Sequence, residues 1–105
     1  MRNKAINALI EMGMPASIKG FQYIADAMEL FEDETWRNGK QTELYSWIAK
    51  VNNTTASKVE RAMRHAFGIV IKKGNSEAVN KYLTLQNTTN SNLLQVLYFR
   101  LTQEE

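Results

Sequence analysis

The chain of 105 residues is 44% hydrophobic and 10% aromatic, which suits one folded domain with its own core and excludes intrinsic disorder. The complete absence of cysteine excludes disulfide scaffolds, thiolate metal sites and cysteine nucleophiles, and it fits a reducing cytoplasm. The net charge of +2 by itself favours no partner, and no segment approaches the roughly 20 consecutive apolar residues that span a bilayer.

Two amphipathic helices are predicted in the N-terminal third of the chain. The first covers residues 3–12 and ends at Gly13 and Pro15. The second runs from Ile18 to Glu32, and its long apolar face predicts that it is the central packing element. The apolar positions of the two helices are Ala5, Ile6, Leu9, Ile10 and Met12, and then Ile18, Phe21, Ile24, Ala27, Met28 and Phe31.

Residues 33–42 are the most polar stretch and are predicted to be a connection with a helical turn around Trp36. A third helix is predicted from about Thr42 to Val51. The turn chemistry of Asn52-Asn53-Thr54 ends it, because Asn tolerates left-handed conformations and Thr caps helices. The residues expected on its inward face are Leu44, Trp47, Ile48 and Val51.

A fourth helix is predicted over about residues 55–73, where two lysines and then Gly74 suit the negative end of a helix dipole. Asn75-Ser76 is expected to cap a fifth helix that runs to about Leu85, and a sixth covers about residues 91–102. No alternating apolar and polar run is long enough to indicate a strand. The sequence therefore predicts an all-α architecture of six helices in a single domain over residues 1–105.

The fourth helix divides into an apolar face and a basic face. On a helical wheel its apolar residues span about 100° of arc, the width of a core-facing stripe. Residues 50–73 hold six Lys or Arg against one Glu, a net charge of +5 that leaves −3 for the rest of the chain. Such a segment predicts a polyanion-binding surface, with a plain solvated face as the alternative. The apolar face holds Val59, Ala62, Met63, Ala66, Ile69 and Val70, and the polar face holds Ser57, Arg61, Arg64, His65, Gly68 and Lys72, flanked by Lys58 and Glu60.

A short helix, a tight turn and a basic helix over about residues 42–73 match the helix-turn-helix arrangement. There the first helix braces the second, whose N-terminal turns enter the major groove of duplex DNA. Arg61 offers two parallel donors to guanine and Glu60 accepts from the cytosine amino group, so this pair suits a step containing G and C. Thr54, Thr55 and the free amides at the helix start suit phosphate oxygens.

Other side-chain groups favour no enzyme, metal site or cofactor. His65 is the only histidine, and without ligand-type neighbours it suits a phosphate contact or the edge of the core better than a metal. No Gly-rich phosphate loop, Ser-His-Asp set or zincin motif is present, so no small-molecule substrate is expected. Trp47 is predicted to be core, whereas Trp36 covers an edge of the bundle or marks a protein contact. The acids Glu29, Glu32, Asp33 and Glu34 are interpreted as a solvated patch.

Three segments resemble a known family. The run LYSWIAKVNNTTASKVERAMRHAF is similar to the pattern LYPxIAxxFxTTxSRVERAIRHAI of the DNA-binding effector domain of the stage-zero sporulation response regulators of endospore-forming bacteria. The segment from Gly13 to Phe21 is similar to that family's GxPAHIKGY, and TNSNLLQVLYFRL is similar to its last helix, PTNSEFIAxxADxL. The resemblance covers about residues 6–101.

The resemblance implies a six-helix domain of a bacterial cytoplasmic, nucleoid-associated protein that binds a short DNA box, often as tandem copies that contact one another, and regulates transcription. It assigns base reading to Lys58, Glu60 and Arg61. Ser57, Arg64 and His65 are then backbone or supporting contacts, with Thr54 and Thr55 near phosphate. The segment Lys72-Lys73-Gly74-Asn75 corresponds to a region implicated in contact with the sigma factor of RNA polymerase.

The chain also departs from the family pattern. Lys58 replaces an Arg, so a flexible point charge replaces a two-pronged donor. Ser46 replaces a Pro, Ser17 replaces a His, and Gly68 replaces a larger residue in the middle of a helix. No acidic cluster or α/β alternation of a phosphorylatable receiver domain is expected in these 105 residues. The alternative function is a helical protein-interaction module that keeps the fold and docks a regulatory protein through its basic helix.

Overall fold

The computed structural model describes residues 1–103, and within that range every regular element is an α-helix, as predicted. The seven helices there include one more than expected, because the turn around Trp36 forms a four-residue helix. None of them is long and apolar enough to cross a membrane. The helices are α1 (Arg2–Glu11), α2 (Lys19–Leu30), α3 (Glu34–Arg37), α4 (Gln41–Val51), α5 (Ala56–Lys73), α6 (Ser76–Tyr82) and α7 (Asn90–Gln103).

The core is built around α5, which packs most extensively against α2 and α4 and also contacts α6 and α7. Most of the apolar stripe predicted for α5 is confirmed as buried, whereas Ala62 and Ile69 are half-buried at its edges. Phe67 is buried as well, although the predicted stripe did not include it. The exposed cations of α5 lie on the side of the helix opposite this buried stripe. The buried residues of α5 are Val59, Met63, Ala66, Phe67 and Val70.

The crossing of α2 and α5 depends on Gly20, in the first turn of α2. A Cβ atom at this position would lie 2.3 Å from the backbone oxygen of Ala62 and 2.6 Å from the Cβ of Ala66. Real Cβ atoms do not approach other heavy atoms that closely, so the two helix backbones meet here because Gly20 has no side chain. The start of α2 is thereby held directly against the middle of α5.

The outward side of α4 corrects the predicted inward face. Leu44 and Ile48 are buried as expected, but Trp47 and Val51 are 43% and 60% exposed. Tyr45 and Ala49 complete the buried face instead, so α4 is rotated about its axis relative to the prediction. The expected core position of Ile10 on α1 is likewise wrong, since its side chain is 57% exposed.

Trp47 packs against Trp36 of α3, with ring centroids 5.9 Å apart and ring planes at 42°. The helix α3 is capped by Asp33, whose Oδ1 accepts a hydrogen bond from the backbone N–H of Thr35 at 2.9 Å. Hydrogen bonds from the backbone and then the side chain of Thr35 lower the pKa of the Asp33 carboxyl from its ordinary value. The short capped helix α3 thereby holds Trp36 against Trp47 of α4.

The last two helices begin close to their predicted starts, but α6 ends earlier than predicted. Asn75 caps it through a hydrogen bond from the backbone N–H of Ala78 to Oδ1 at 3.0 Å, and the helix ends at Tyr82 rather than near Leu85. At the far end of the chain, Lys4 of α1 donates from Nζ to the backbone oxygen of Leu101 in α7 at 3.4 Å. The first and last helices are therefore in contact.

The start of α7 is tied to the α4–α5 pair by Asn90, a buried polar side chain. Its Nδ2 donates to the backbone oxygen of Glu60 at 2.9 Å and to the hydroxyl of Tyr45 at 3.1 Å. The same hydroxyl accepts a hydrogen bond from Nε2 of Gln41 at 2.9 Å. The Asn90 amide therefore links α7 to both α4 and α5.

Candidate nucleic-acid interface

The turn between α4 and α5 occupies residues 52–55 and ends α4 in a specific way. Asn53 has a φ of 56°, the left-handed conformation that was expected of an Asn in this turn. The N–H of Asn53 donates to the oxygen of Lys50 at 3.4 Å, and the N–H of Thr54 donates to the oxygen of Ala49 at 2.9 Å. This pair of bonds is the Schellman motif, which turns the chain sharply into the next helix.

Thr55, rather than Thr54, caps the N-terminus of α5. Its Oγ1 accepts a hydrogen bond from the backbone N–H of Lys58 at 3.3 Å, and its backbone is extended, as capping requires. Thr54 is half-buried within the turn. The cap makes residue 56 the first of α5 and so sets which of the following side chains lie on the outer face.

The outer face of α5 forms one open groove that brings together five of the predicted polar positions. Arg61, Arg64 and His65 line it along the first half of the helix, and Lys72 and Lys73 line its end. All five side chains are exposed, so the alternative in which His65 packs at the edge of the core is wrong. Gly68 and Ile69 form the floor between the two groups.

The two arginines of this groove differ in how they are held. Arg61 donates from Nε to the backbone oxygen of Ser57 at 3.4 Å, a weak bond that lays its stem along the helix. Among residues 1–103 its Nη atoms make no hydrogen bond or ion pair, so the donor fork remains free for a ligand. Arg64 instead pairs with Glu60, with Nη1 and Oε2 3.1 Å apart on an exposed helix surface.

The three predicted base-reading side chains do not share one groove. Arg61 lies in the groove along α5, whereas Glu60 faces the start of α7 beside Thr89 and Asn90. Lys58 lies on the opposite flank, beside the turn and the beginning of α2. Arg61 is thus central on the exposed face, and Lys58 and Glu60 stand at its two edges, as the helical wheel indicated.

The flank that holds Lys58 contains a second cation that the sequence reasoning missed. Lys19, the first residue of α2, lines the same depression as Lys58, Thr54 and Asn53. The segment similar to GxPAHIKGY includes Lys19, but it gave this residue no role, because the neighbours of Lys19 in the fold come from a helix that starts 37 residues later. The usable signal was Gly20, since a glycine in a helix often marks a close helix crossing.

The four residues after α5 that the resemblance linked to sigma factor have two different environments. Lys72 and Lys73 are exposed on the last turn. Gly74 is packed so closely that a Cβ would lie 2.4 Å from the oxygen of Met12, and the N–H of Asn75 donates to that same oxygen at 3.0 Å. Gly74 and Asn75 therefore fix this segment against the end of α1.

No group of three or more His, Cys, Asp or Glu that could hold a metal ion occurs within residues 1–103.

A comparison with protein families gives a match over residues 5–101, nearly the whole chain, to the family described as sporulation initiation factor Spo0A C terminal. That domain is the DNA-binding effector domain of a sporulation response regulator. The match includes the turn, the capped helix α5, its basic groove and the Asn90 tie described above. The chain therefore belongs to the family of C-terminal, DNA-binding domains of the sporulation initiation factor Spo0A.

Proposed function

We propose that this domain reads a short sequence in duplex DNA with α5 in the major groove. The observation that supports this most directly is the free donor fork of Arg61 at the centre of the exposed face of an 18-residue helix. The major groove, about 12 Å wide, admits one α-helix. The opposite side of α5 is buried against the core, so the helix is presented as a rigid reading edge.

In this arrangement Arg61 donates to guanine O6 and N7, and Lys58 and Glu60 reach base edges on either side of it. Arg64, His65, Ser57, Thr54 and Thr55 contact the phosphate backbone or support the readers. The ion pair between Glu60 and Arg64 suits both roles, because it restrains a carboxylate near the bases while the guanidinium reaches outward. No cofactor takes part in this function.

Lys19 extends the proposed backbone contacts beyond the helix-turn-helix. It lies with Lys58 and Thr54 on the flank of α5 where a DNA strand leaving the groove would pass. A lysine at such a position neutralises a phosphate without reading a base, and it adds to affinity equally on every sequence. The close crossing at Gly20 holds this lysine at a fixed distance from the reading helix.

The family resemblance supports two further contacts. The exposed Lys72 and Lys73 form a cationic end of α5 that suits an acidic surface of RNA polymerase sigma factor, held in place by Gly74 and Asn75. Neighbouring copies on tandem boxes contact each other. Both contacts are consistent with a transcription regulator that acts at the bacterial nucleoid.

The test of sequence reading is fluorescence anisotropy at near-physiological salt. A labelled duplex with two tandem copies of the box bound by the family is compared with a scrambled duplex of equal length and composition. We expect tighter binding to the box, since specific sites are typically bound about 10³–10⁷ times more tightly than non-specific DNA. Equal affinity for both duplexes would contradict base reading, and binding to neither would favour the protein-docking function.

A further inference from the structure

The outer face of α4, defined as Glu43, Ser46, Trp47 and Lys50, is exposed along its whole length. These positions are spaced i, i+3, i+4 and i+7, so they form one continuous ridge down the helix. The ridge faces away from the core residues of α4 and is formed by none of the proposed DNA-contacting side chains. It is a second surface of the domain.

The centre of this ridge is aromatic. Trp47 and Trp36, the two tryptophans of the chain, pack against each other and line an open groove together with Thr42 and the α4 outer face. Val51 lies one turn beyond Trp47 and is also largely exposed. Large apolar side chains that cluster on a surface mark an interaction site more often than isolated ones do, and tryptophan is enriched at the centres of such sites.

The charges of the ridge favour a second copy of the chain as its binding partner. Glu43 lies toward the N-terminal end of α4 and Lys50 toward its C-terminal end, and neither forms an ion pair within residues 1–103. If a second α4 lies antiparallel across the first, the acidic end of each helix faces the basic end of the other. The small side chain of Ser46 then lies opposite the large side chain of Trp47. The outer faces of two antiparallel copies of α4 therefore match each other both in charge and in side-chain size.

We propose that two copies of this chain pair through the α4 outer face about a two-fold axis. In this contact Glu43 faces Lys50 of the partner subunit, and Trp47 packs over the partner's Ser46. The same register brings Lys50 to the partner's Glu43, because the interface is isologous and every contact occurs twice. A small residue opposite a large one allows the helix axes to approach to about 8–10 Å.

This pairing differs from contacts between copies arranged head to tail on tandem DNA boxes, where the two surfaces that meet are not the same. It does not rest on the proposed DNA reading, since it needs no DNA. One helix with a neighbouring tryptophan offers less surface than the roughly 800 Å² per partner of a standard stable interface, so the pair is transient.

The first test is sedimentation equilibrium without DNA at protein concentrations of about 0.01–1 mM, where transient pairs assemble. We expect concentration-dependent dimers of the wild-type chain. E43K and K50E each place like charges opposite one another twice, and each is expected to weaken association about tenfold. The double variant E43K/K50E restores the opposite charges and is expected to recover the wild-type association.

The matched control for E43K is E77K, which makes the same charge change at an exposed position of α6 and is expected to leave association unchanged. Circular dichroism checks that all four variants keep the helical fold. A wild-type chain that stays monomeric throughout would overturn the proposal. So would a double variant that remains folded but associates no better than the two single ones.

A second readout locates the contact. W36F leaves Trp47 as the sole tryptophan, so its fluorescence reports the α4 outer face alone. We expect a blue shift of the emission as the protein concentration rises, because Trp47 loses contact with water in the pair. Dimerisation with unchanged emission would place the contact elsewhere and reject the α4 pairing. A blue shift that appears only on addition of another protein would reject it as well.

Discussion

Arg61 is the residue on which sequence reading depends, because its donor fork is free and central on the exposed face of α5. Arg61→Ala is expected to cost about 1–3 kcal/mol of binding free energy and to abolish the preference at one base pair. The measurement is anisotropy against duplexes that differ from the box at single positions. Unchanged relative affinities across that set would remove Arg61 from base reading.

Lys73→Ala is the matched control for Arg61→Ala, since it removes a cation at the other end of the same groove. It is expected to weaken binding to all duplexes by a similar factor, without changing their order. The comparison separates lost specificity from lost charge.

A substitution of Lys19 is expected to change the salt dependence of DNA binding and not its sequence preference. Lys19→Ala should reduce the slope of log binding constant against log salt concentration by about one, because one phosphate contact is lost. The control is Lys81→Ala on α6, where Nζ lies 3.9 Å from Oε2 of Glu11, and this substitution should leave the slope unchanged. An equal effect of the two substitutions would rule out a specific contact at Lys19.

At the residue level, the helical wheel was sufficient to predict the exposed cations of α5, since their placement depends only on the spacing within one helix. Lys19 was not predictable in this way. Its place beside Lys58 results from the crossing of two helices, and periodicity within a helix carries no information about what lies across from it.

At the level of the helices, Gly20 and Gly68 provide a contrast within one fold. A Cβ at Gly20 would clash with the backbone of α5, whereas one at Gly68 would meet no heavy atom within 4 Å. Gly20→Ala is expected to lower the free energy of unfolding by about 1–3 kcal/mol, because α2 must move away from α5. Gly68→Ala is expected to raise it by up to about 1 kcal/mol through helix propensity.

Urea denaturation followed by circular dichroism measures both changes. If the two alanine variants shifted the midpoint in the same direction, the close crossing of α2 and α5 would not control stability. Gly68 also lies on the floor of the basic groove, so DNA affinity of Gly68→Ala reports whether a methyl group there obstructs the reading face.

The helices themselves were largely predictable from apolar spacing and from caps such as Asn75, but the rotation of α4 was not. Six positions of α4 are apolar or aromatic, so either of two overlapping faces of the helix could be expected to face the core. These positions are Leu44, Tyr45, Trp47, Ile48, Ala49 and Val51. Packing against α5 selects the face with Tyr45 and Ala49, which meets the buried amide of Asn90. That choice leaves Trp47 exposed beside the half-buried Trp36.

For the whole molecule, Asn90 connects segments that are 30 and 45 residues away along the chain. Asn90→Ala leaves the Tyr45 hydroxyl and the Glu60 oxygen each without this donor, and it is expected to cost about 1–3 kcal/mol of unfolding free energy. Tyr45→Phe removes the bond from Asn90 and the bond from Gln41, and it is expected to cost less, because the part-buried Gln41 amide can still bond to water and the bond from Asn90 to Glu60 remains. Urea denaturation of the single and double variants gives the coupling between them, and simple additivity would contradict the network.

The charge distribution is also a property of the whole molecule. Residues 50–73 carry +5 and the remainder of the chain carries −3, and the cations that line the α5 groove give the domain a positive side. Such an asymmetry orients the molecule as it approaches a polyanion and repels wrong orientations. The order of the residues alone reveals this asymmetry along the chain, whereas Lys19 joins the positive side only because α2 crosses α5.

The hydrogen bond between Lys4 of α1 and Leu101 of α7 places the first and last helices side by side. Because these two helices are neighbours, a linker can join them without disturbing either helix. The chain can then be reopened in the exposed segment 85–89 between α6 and α7. The resulting circular permutant keeps every helix contact in a new chain order. We therefore expect it to fold and to retain the reading helix unchanged.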